Sequence, residues 1–460
     1  MSSPGIAAVP VLLTALATAL CAQDAQPLTP REQQLLDRIQ KLEDRIAALE
    51  ARLPSPAPRT AAVPQPQLAA LPASEQVAPA PPSQPPISNF LRGTSVNFLV
   101  DTYYDYNFNN PIGRVNRLRA FDILSNAFSL SQADAILAND PDPDNGKRWG
   151  LRLDLQFGQA TETLQGNAAN ELRPEVYRNI FQAYGTYIVP IGSGLSVDFG
   201  KWASSLGFEG NYTQDQMNYS RSFWFNFLPF YHTGGRMTYN LTKQVALHYW
   251  ITNGTEQTEP FNNFKDELVG FTVTPNDKLS WNINYYLGQE HPDVEFLPNS
   301  TNPSLPTEQG EPFLPIPYAP KGKLDIFDSY GTWQATPKLS LALEGDYVIE
   351  RLYTNSFPQV TWGGAGYARY QISPRVAVAA RAEFLDDEGG LFSAATQELK
   401  ETTLTLEQRI VDGFLLREEW RLDFSNQPYF YTSVLDVLKR EQNTATLGMV
   451  WWFGPKKSPW

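Results

Sequence analysis

Charged residues of both signs recur at every second position in several stretches of this chain. Between residues 414 and 424, Arg417, Glu419, Arg421 and Asp423 alternate with mostly apolar side chains. In a β-strand this spacing places the charges on one face and the apolar side chains on the other. Such a row of charges can hold water and ions, and its members can pair with charges on neighbouring strands. The pattern therefore indicates a polar surface facing water.

The same alternation defines a larger set of charged residues that we expect to share this polar interior. Clear examples occur within residues 149–157, 339–349 and 404–410. Acids and bases are almost equally frequent in the set. We predict that the pore-lining residues are Asp101, Asp105, Arg148, Arg152, Asp154, Arg236, Glu344, Asp346, Arg369, Arg381, Glu383, Glu407, Arg409, Arg417, Glu419, Arg421 and Asp423.

Residue types that commonly carry catalysis are scarce. The chain has three histidines, His232, His248 and His291, and its one cysteine is Cys21. The histidines lack the spacing of metal ligands, and the chain has no G-x-S-x-G motif. We therefore expect neither enzyme activity nor a metal site nor a cofactor, and we expect His232 and His248 to lie in the polar interior.

Sixteen predicted β-strands position these charges, the first at residues 94–106 and the last at 443–453. Their connections alternate between short ones, such as Ala335–Lys338, and long ones, such as His291–Gly322. Outer-membrane barrels have short periplasmic turns and long outward loops, and strands of ~9–11 residues cross their bilayer. We predict an all-β fold, a 16-stranded antiparallel transmembrane barrel over residues 90–460, with both ends in the periplasm.

A soluble β-sandwich with a wet outer face explains the alternation in single strands equally well. A sandwich does not explain together the alternating lengths of the connections, the lengths of the strands and the predicted signal peptide at residues 1–22. Two predicted strands, 126–138 and 323–335, lack clean alternation, and Glu418 interrupts the apolar face of its strand.

The connection Ser204–Tyr231 is too apolar for a loop that extends into water. It either folds into the barrel as a constriction or packs over the mouth, and we favour the constriction. The candidate constriction residues are Glu209, Asp215, Arg221, Phe223, Trp224 and Phe225.

Three further segments precede the barrel. Residues 1–22 are expected to be a signal peptide, because an apolar core is followed by a plausible cleavage site at Leu20-Cys21-Ala22. Residues 23–53 are expected to form a short periplasmic coiled-coil helix. Residues 54–89 are rich in proline and are expected to be an extended linker.

The coiled-coil segment yields a testable prediction. Apolar residues are spaced alternately by four and three residues, which is the seam of a coiled coil: Leu35, Ile39, Leu42, Ile46 and Leu49. Replacing Ile39 and Ile46 with Asp should disperse the isolated arm in sedimentation experiments and leave the barrel folded. A monomeric wild-type arm would instead favour a single amphipathic helix lying on another surface.

Several short motifs resemble those of a known family. They are Leu118-Arg119-Ala120-Phe121-Asp122, Phe128-Ser129-Leu130-Ser131-Gln132, Gly200-Lys201 with Gly207 and Glu209, Tyr219-Ser220-Arg221-Ser222, Pro229-Phe230-Tyr231-His232-Thr233-Gly234 and Asn253-Gly254. Over roughly residues 94–454 the chain resembles the outer-membrane β-barrel porins of the OmpL-like type. The resemblance implies a barrel with a pore and implies no particular solute.

The expected function is passive diffusion of small hydrophilic solutes or ions across the bacterial outer membrane, with a weak preference for cations. The formal net charge of -13 argues against nucleic acid as a partner. We expect outer-membrane lipid and further copies of the chain as partners. The alternative is a structural tether, in which a plugged barrel is linked to another envelope layer through the N-terminal coil.

Overall fold

The computed structural model describes residues 93–165, 171–296 and 313–455. The predicted signal peptide, coiled-coil segment and proline-rich linker lie outside these ranges, as does part of the connection between residues 291 and 322. The boundaries of the N-terminal segments therefore stay predictions.

All sixteen predicted strands are present, and they close into one antiparallel barrel. Two further pairs of short strands, β10–β11 and β18–β19, form small hairpins in long connections. The strands are β1 (Thr94–Asn107), β2 (Ala127–Asn139), β3 (Trp149–Phe157), β4 (Ile180–Val189), β5 (Leu195–Ala203), β6 (Tyr231–Asn240), β7 (Val245–Thr252), β8 (Asp266–Asn276), β9 (Leu279–Gly288), β10 (Val294–Phe296), β11 (Phe313–Pro315), β12 (Leu324–Gln334), β13 (Leu339–Glu350), β14 (Gln359–Ser373), β15 (Val376–Asp387), β16 (Gln397–Val411), β17 (Phe414–Ser425), β18 (Phe430–Tyr431), β19 (Leu438–Lys439) and β20 (Glu441–Phe453).

The barrel closes because the first strand pairs with the last. Strand β1 pairs with β2 on one side and with β20 on the other, where Asp101 lies opposite Val450. Closure leaves no strand edge with unpaired backbone groups, which a lipid environment would not tolerate. The soluble-sandwich interpretation is therefore wrong.

Side chains alternate between an apolar outer face and a polar inner face. In β13, Leu343 and Tyr347 are 61% and 42% exposed, whereas Glu344 and Asp346 are 7% and 4% exposed. Glu418 does lie on the outer face, where the amide of Gln408 donates a hydrogen bond to it over 3.3 Å. An apolar exterior around a charged interior is the arrangement of a membrane barrel.

The barrel has a short-turn end and a long-loop end. Two-residue connections join β8 to β9, β14 to β15 and β16 to β17 at the short-turn end. The connections at the other end include residues 108–126, 158–179, 204–230 and 289–323. One connection at the short-turn end, residues 140–148, is longer than the rest. Alternation of connection length is thus confirmed.

Among the described residues, three short α-helices lie within the long connections. They are α1 (Ala160–Gln165), α2 (Pro174–Tyr177) and α3 (Phe223–Phe227). Within the described part of the chain, no helix is long and apolar enough to cross a membrane.

Candidate channel interior

The connection of residues 204–230, here called the inward loop, lies inside the barrel. Its Tyr219 hydroxyl donates a hydrogen bond to Asp101 over 2.9 Å, and its Asn218 amide donates one to Thr405 over 2.8 Å. Asp101 and Thr405 are central residues of β1 and β16, so the loop reaches the middle of the barrel. Whether it is the narrowest point of a channel stays a prediction.

Arg417 of β17 holds the loop through its backbone carbonyls. Its guanidinium donates to the carbonyls of Thr213 and Gln216, each over 2.6 Å, and to that of Asn218 over 3.1 Å. The same guanidinium pairs with Glu407 of β16 over 2.8 Å. Because carbonyls inside the barrel have lost water, these charge-assisted hydrogen bonds replace their hydration.

Arg381 of β15 forms a second anchor. Its guanidinium donates to the Ser220 carbonyl and to the Glu209 carboxylate of the loop, each over 2.7 Å. It also pairs with Glu401 of β16 over 2.9 Å. The side chain has no exposed surface, so the arginine joins the loop to the wall within a water-excluded contact.

Carboxylates of the wall bind the amide groups of the loop. Glu383 of β15 accepts hydrogen bonds from the Phe223 amide, with both oxygens at 2.9 Å. Glu419 of β17 accepts from the amides of Tyr219 and Ser220 over 2.6 and 2.9 Å. Wall charges of both signs thus satisfy loop groups that would otherwise be buried without partners.

The loop is also braced internally around Arg221 and helix α3. Arg221 is buried and donates to the carbonyls of Gly210, Tyr219 and Asn211 over 2.9, 2.7 and 2.8 Å. Ser222 caps helix α3, since its hydroxyl accepts from the amide three residues later over 2.9 Å. Of the other candidate constriction residues, Asp215 is half-buried, and Phe223, Trp224 and Phe225 are buried.

Most residues of the predicted pore-lining set lie on the inner wall. Arg236 and Arg369 are half-buried there, and Arg409 is exposed near the short-turn end. Arg148 lies one residue before β3, where its carbonyl accepts a hydrogen bond from the Ile188 amide over 2.7 Å, and its pore-lining position stays a prediction. The buried members of the set are Asp101, Asp105, Arg152, Asp154, Glu344, Asp346, Arg381, Glu383, Glu407, Arg417, Glu419, Arg421 and Asp423.

The sequence model of the family described as "Putative beta-barrel porin-2, OmpL-like" matches residues 93–453. The chain belongs to this porin family. The resemblance seen in the short sequence motifs is therefore confirmed, and the match covers the whole barrel. No curated protein matches the chain.

Solved structures of outer-membrane proteins are similar to this porin at low identity. The anion-selective porin from Comamonas acidovorans is 10% identical, with a TM-score of 0.49, and the match covers 78% of this chain and 99% of that one. Pseudomonas putida OprB is 13% identical, with a TM-score of 0.47 and coverages of 80% and 96%. The outer membrane channel DcaP of Acinetobacter baumannii is 10% identical, with a TM-score of 0.47 and coverages of 78% and 97%.

The interior of this porin has a cavity on the long-loop side of the inward loop and partly exposed polar side chains on the other side. A cavity of about 540 Å³ lies at the long-loop end, and its lining includes Arg119, Asn226, Glu256, Glu290 and Glu350. Toward the short-turn end, polar inner-wall side chains are partly exposed, among them Arg236, His248, Thr272 and Asn282. A cavity of about 40 Å³ lies at the loop itself, beside Leu206, Glu209 and Phe225.

Arg119 and Glu171 are buried ionisable residues in the long connections of the porin. Burial would lower the pKa of Arg119, but the carboxylates of Asp423 and Asp122 reverse this and raise it above its ordinary value. Burial raises the pKa of Glu171, whose carboxylate accepts a hydrogen bond from the Thr258 amide over 2.7 Å.

The histidines of the porin pack or bond within the interior. His232 is buried against the rings of Trp250 and Tyr286, with centroids 5.2 and 5.3 Å away. His248 lies within hydrogen-bonding distance of Thr238 and Thr272, at 3.1 and 2.8 Å.

Sequence reasoning missed several interior acids of the porin, among them Glu401, Asp198 and Asp328. Glu401 pairs with Arg381, and Asp198 pairs with Arg236 over 2.6 Å. Glu401 lies in β16 an even number of residues from the predicted Glu407 and therefore on the same face. The alternation of side chains alone could have identified it as an interior acid. Asp328 lies in the strand predicted at 323–335, whose inner face becomes clear only from its pairing with β13.

Proposed function

We propose that this porin forms a water-filled channel through the outer membrane for passive diffusion of small hydrophilic solutes. The observation that carries the proposal is a closed barrel with an apolar exterior and a charged inner wall. The cavity at the long-loop end, the partly exposed polar side chains toward the short-turn end and membership of a porin family support it. Purified protein should produce conductance steps in a planar lipid bilayer. Association into a homo-oligomer stays a prediction.

A weak preference for cations follows from the charge of the interior. Among the described residues, buried acids outnumber buried bases more than twofold. A negative potential raises the local concentration of cations, and salt screens it over a Debye length of about 10 Å at 0.1 M. The reversal potential in a KCl gradient should show a small cation preference that fades as salt rises. Firm anion selectivity at low salt would contradict this and would direct attention to Arg114, Arg117, Arg119 and Arg221.

We also propose that the short-turn end faces the periplasm. Short turns lie on that side in outer-membrane barrels, and long loops lie outside. Protease added to intact cells should then cut within residues 291–322 and spare residues 373–375. Cleavage at 373–375 with 291–322 protected would mean that the barrel has the opposite orientation.

The structural tether is a second candidate because the middle of the barrel is well filled. Trp202, Phe223 and Trp224 have no exposed surface, and the cavity of about 40 Å³ at the loop is small. A plugged barrel would be silent in a planar bilayer under the conditions in which a channel conducts. The coil that would link it to another layer, residues 23–53, lies outside the described residues.

A further inference from the structure

Three interior carboxylates lack the cationic partners that their neighbours have. Asp328 of β12 and Glu344 and Asp346 of β13 are buried, and one oxygen of each lies within 4.8 Å of the others. Nearby, Glu401 and Glu407 each pair with an arginine. No ion pair among the described residues includes any of the three. Three like charges grouped in a barrel interior repel one another strongly unless something compensates them.

Two of these carboxylates are held in fixed orientations. Asp328 accepts hydrogen bonds from the Gly207 amide over 2.9 Å and from the Asn284 amide group over 2.7 Å. Glu344 accepts one from the Phe208 amide and one from the Tyr367 hydroxyl, each over 2.9 Å. Each bonded carboxylate oxygen keeps a second lone pair for a further ligand.

Asp346 has no such partner. It is 4% exposed, and no N–H or hydroxyl group among the described residues donates a hydrogen bond to either of its carboxylate oxygens. It lies directly opposite Asp328 in the pairing of β13 with β12, so both point to the same side of the sheet. A buried carboxylate without a donor is costly and calls for a cation or a proton.

We propose that Asp328, Glu344 and Asp346 bind a divalent cation and that Ca²⁺ is the preferred ion. All three offer hard oxygen ligands of the kind that Ca²⁺ takes at 2.3–2.6 Å, so two oxygens on one ion can be up to about 5 Å apart. One oxygen of each residue lies within 4.8 Å of the others, so a single ion of this kind can reach all three. Mg²⁺ demands shorter bonds and a stricter octahedral geometry, and therefore fits less well.

The site would tie the start of the inward loop to the β12–β13 wall. Gly207 has a φ of +84°, and a Cβ at this position would lie 2.9 Å from a carboxylate oxygen of Glu344. The loop backbone can therefore approach the acids closely only because this residue is glycine. Arg381 and Arg417 bind residues 213–220 of the loop to β15 and β17. The cation would add an attachment of the first residues of the loop to β12 and β13. This role goes beyond passive diffusion and does not depend on it.

The sequence-based expectation of no metal site considered histidine and cysteine spacing only. Asp328 and Asp346 are distant along the chain and become neighbours through strand pairing. A proton shared between their carboxylates would also relieve the repulsion without any ion. That alternative predicts that Ca²⁺ does not bind saturably at this place.

The test is calorimetric titration of the folded full-length protein in detergent with CaCl₂ near neutral pH. We expect one Ca²⁺ per chain, with binding that persists in about 0.5 M NaCl, where diffuse attraction to surface charge is screened. Asp346→Asn should weaken binding about tenfold or more, because it removes a charged ligand. Asp134→Asn is the matched control. Asp134 is also 4% exposed, both of its carboxylate oxygens lack a hydrogen-bond partner among the described residues, and it lies outside the cluster. This variant should bind Ca²⁺ as tightly as the wild type does.

Absence of saturable binding to the wild type, or equal binding by the wild type and Asp346→Asn, would overturn the proposal. If Asp346→Asn does not fold, the test is made on the wild type, by measuring its unfolding midpoint in urea with each ion. The site predicts a higher midpoint with Ca²⁺ than with the same concentration of Mg²⁺. Equal midpoints in the two salts would also overturn it.

Discussion

Replacing Arg381 with methionine is expected to loosen the inward loop, raise the conductance of the channel and destabilise the barrel. The guanidinium has no exposed surface and bonds to Glu209, Ser220 and Glu401. Methionine keeps most of the apolar stem but leaves buried carboxylates without their cation. Breaking one partner of a buried ion pair costs on the order of 3–5 kcal/mol. Planar-bilayer conductance and the urea unfolding midpoint measure the two effects.

Arg236→Met is the matched control for this experiment. Arg236 is also an inner-wall arginine with one carboxylate partner, Asp198, but its side chain is 23% exposed and it has no hydrogen bond to the inward loop. Its loss should therefore cost less than the loss of the fully buried Arg381 and should leave the loop in place. The same conductance and midpoint for both variants would show that Arg381 does not anchor the loop.

Replacing Arg119 with methionine should detach the connection of residues 108–126 from the wall. Its guanidinium contacts Asp122 and donates to Asp423 over 2.8 Å and to Thr444 over 3.0 Å. Both ion pairs are fully buried, so we expect a loss on the order of 3–5 kcal/mol in the free energy of unfolding. Because Arg119 ties this connection to β17 and β20, limited proteolysis within residues 108–126 should become faster in the variant.

Arg117→Met, two residues earlier in the same connection, is the comparison. Arg117 stacks on the rings of Tyr429 and Tyr431, at 4.0 and 4.6 Å, and donates to the Tyr429 carbonyl over 2.8 Å. A cation–π contact of this kind contributes about 0.5–2 kcal/mol, so its loss should be the milder one. Greater destabilisation by Arg117→Met than by Arg119→Met would contradict the assigned role of the buried pairs.

Local alternation was sufficient to predict the strands and the faces of most interior residues. A strand has a period of two, so Glu344 and Asp346 must share a face that Leu343 and Tyr347 do not. The regular change in connection length then favoured a closed membrane barrel, which the structure confirms. Alternation failed to place Asp328, because its strand mixes polar and apolar residues on both faces.

Only the tertiary structure decided what the interior charges contact. From sequence, Arg381, Arg417 and Glu383 were expected to face water, whereas in the fold they hold the backbone of the inward loop. An odd or even position in a strand determines the face on which a side chain lies. It does not determine which backbone segment from elsewhere in the chain will contact that side chain. The grouping of Asp328 with Glu344 and Asp346 likewise depends on the register of two strands, and strand register is a property of the closed sheet.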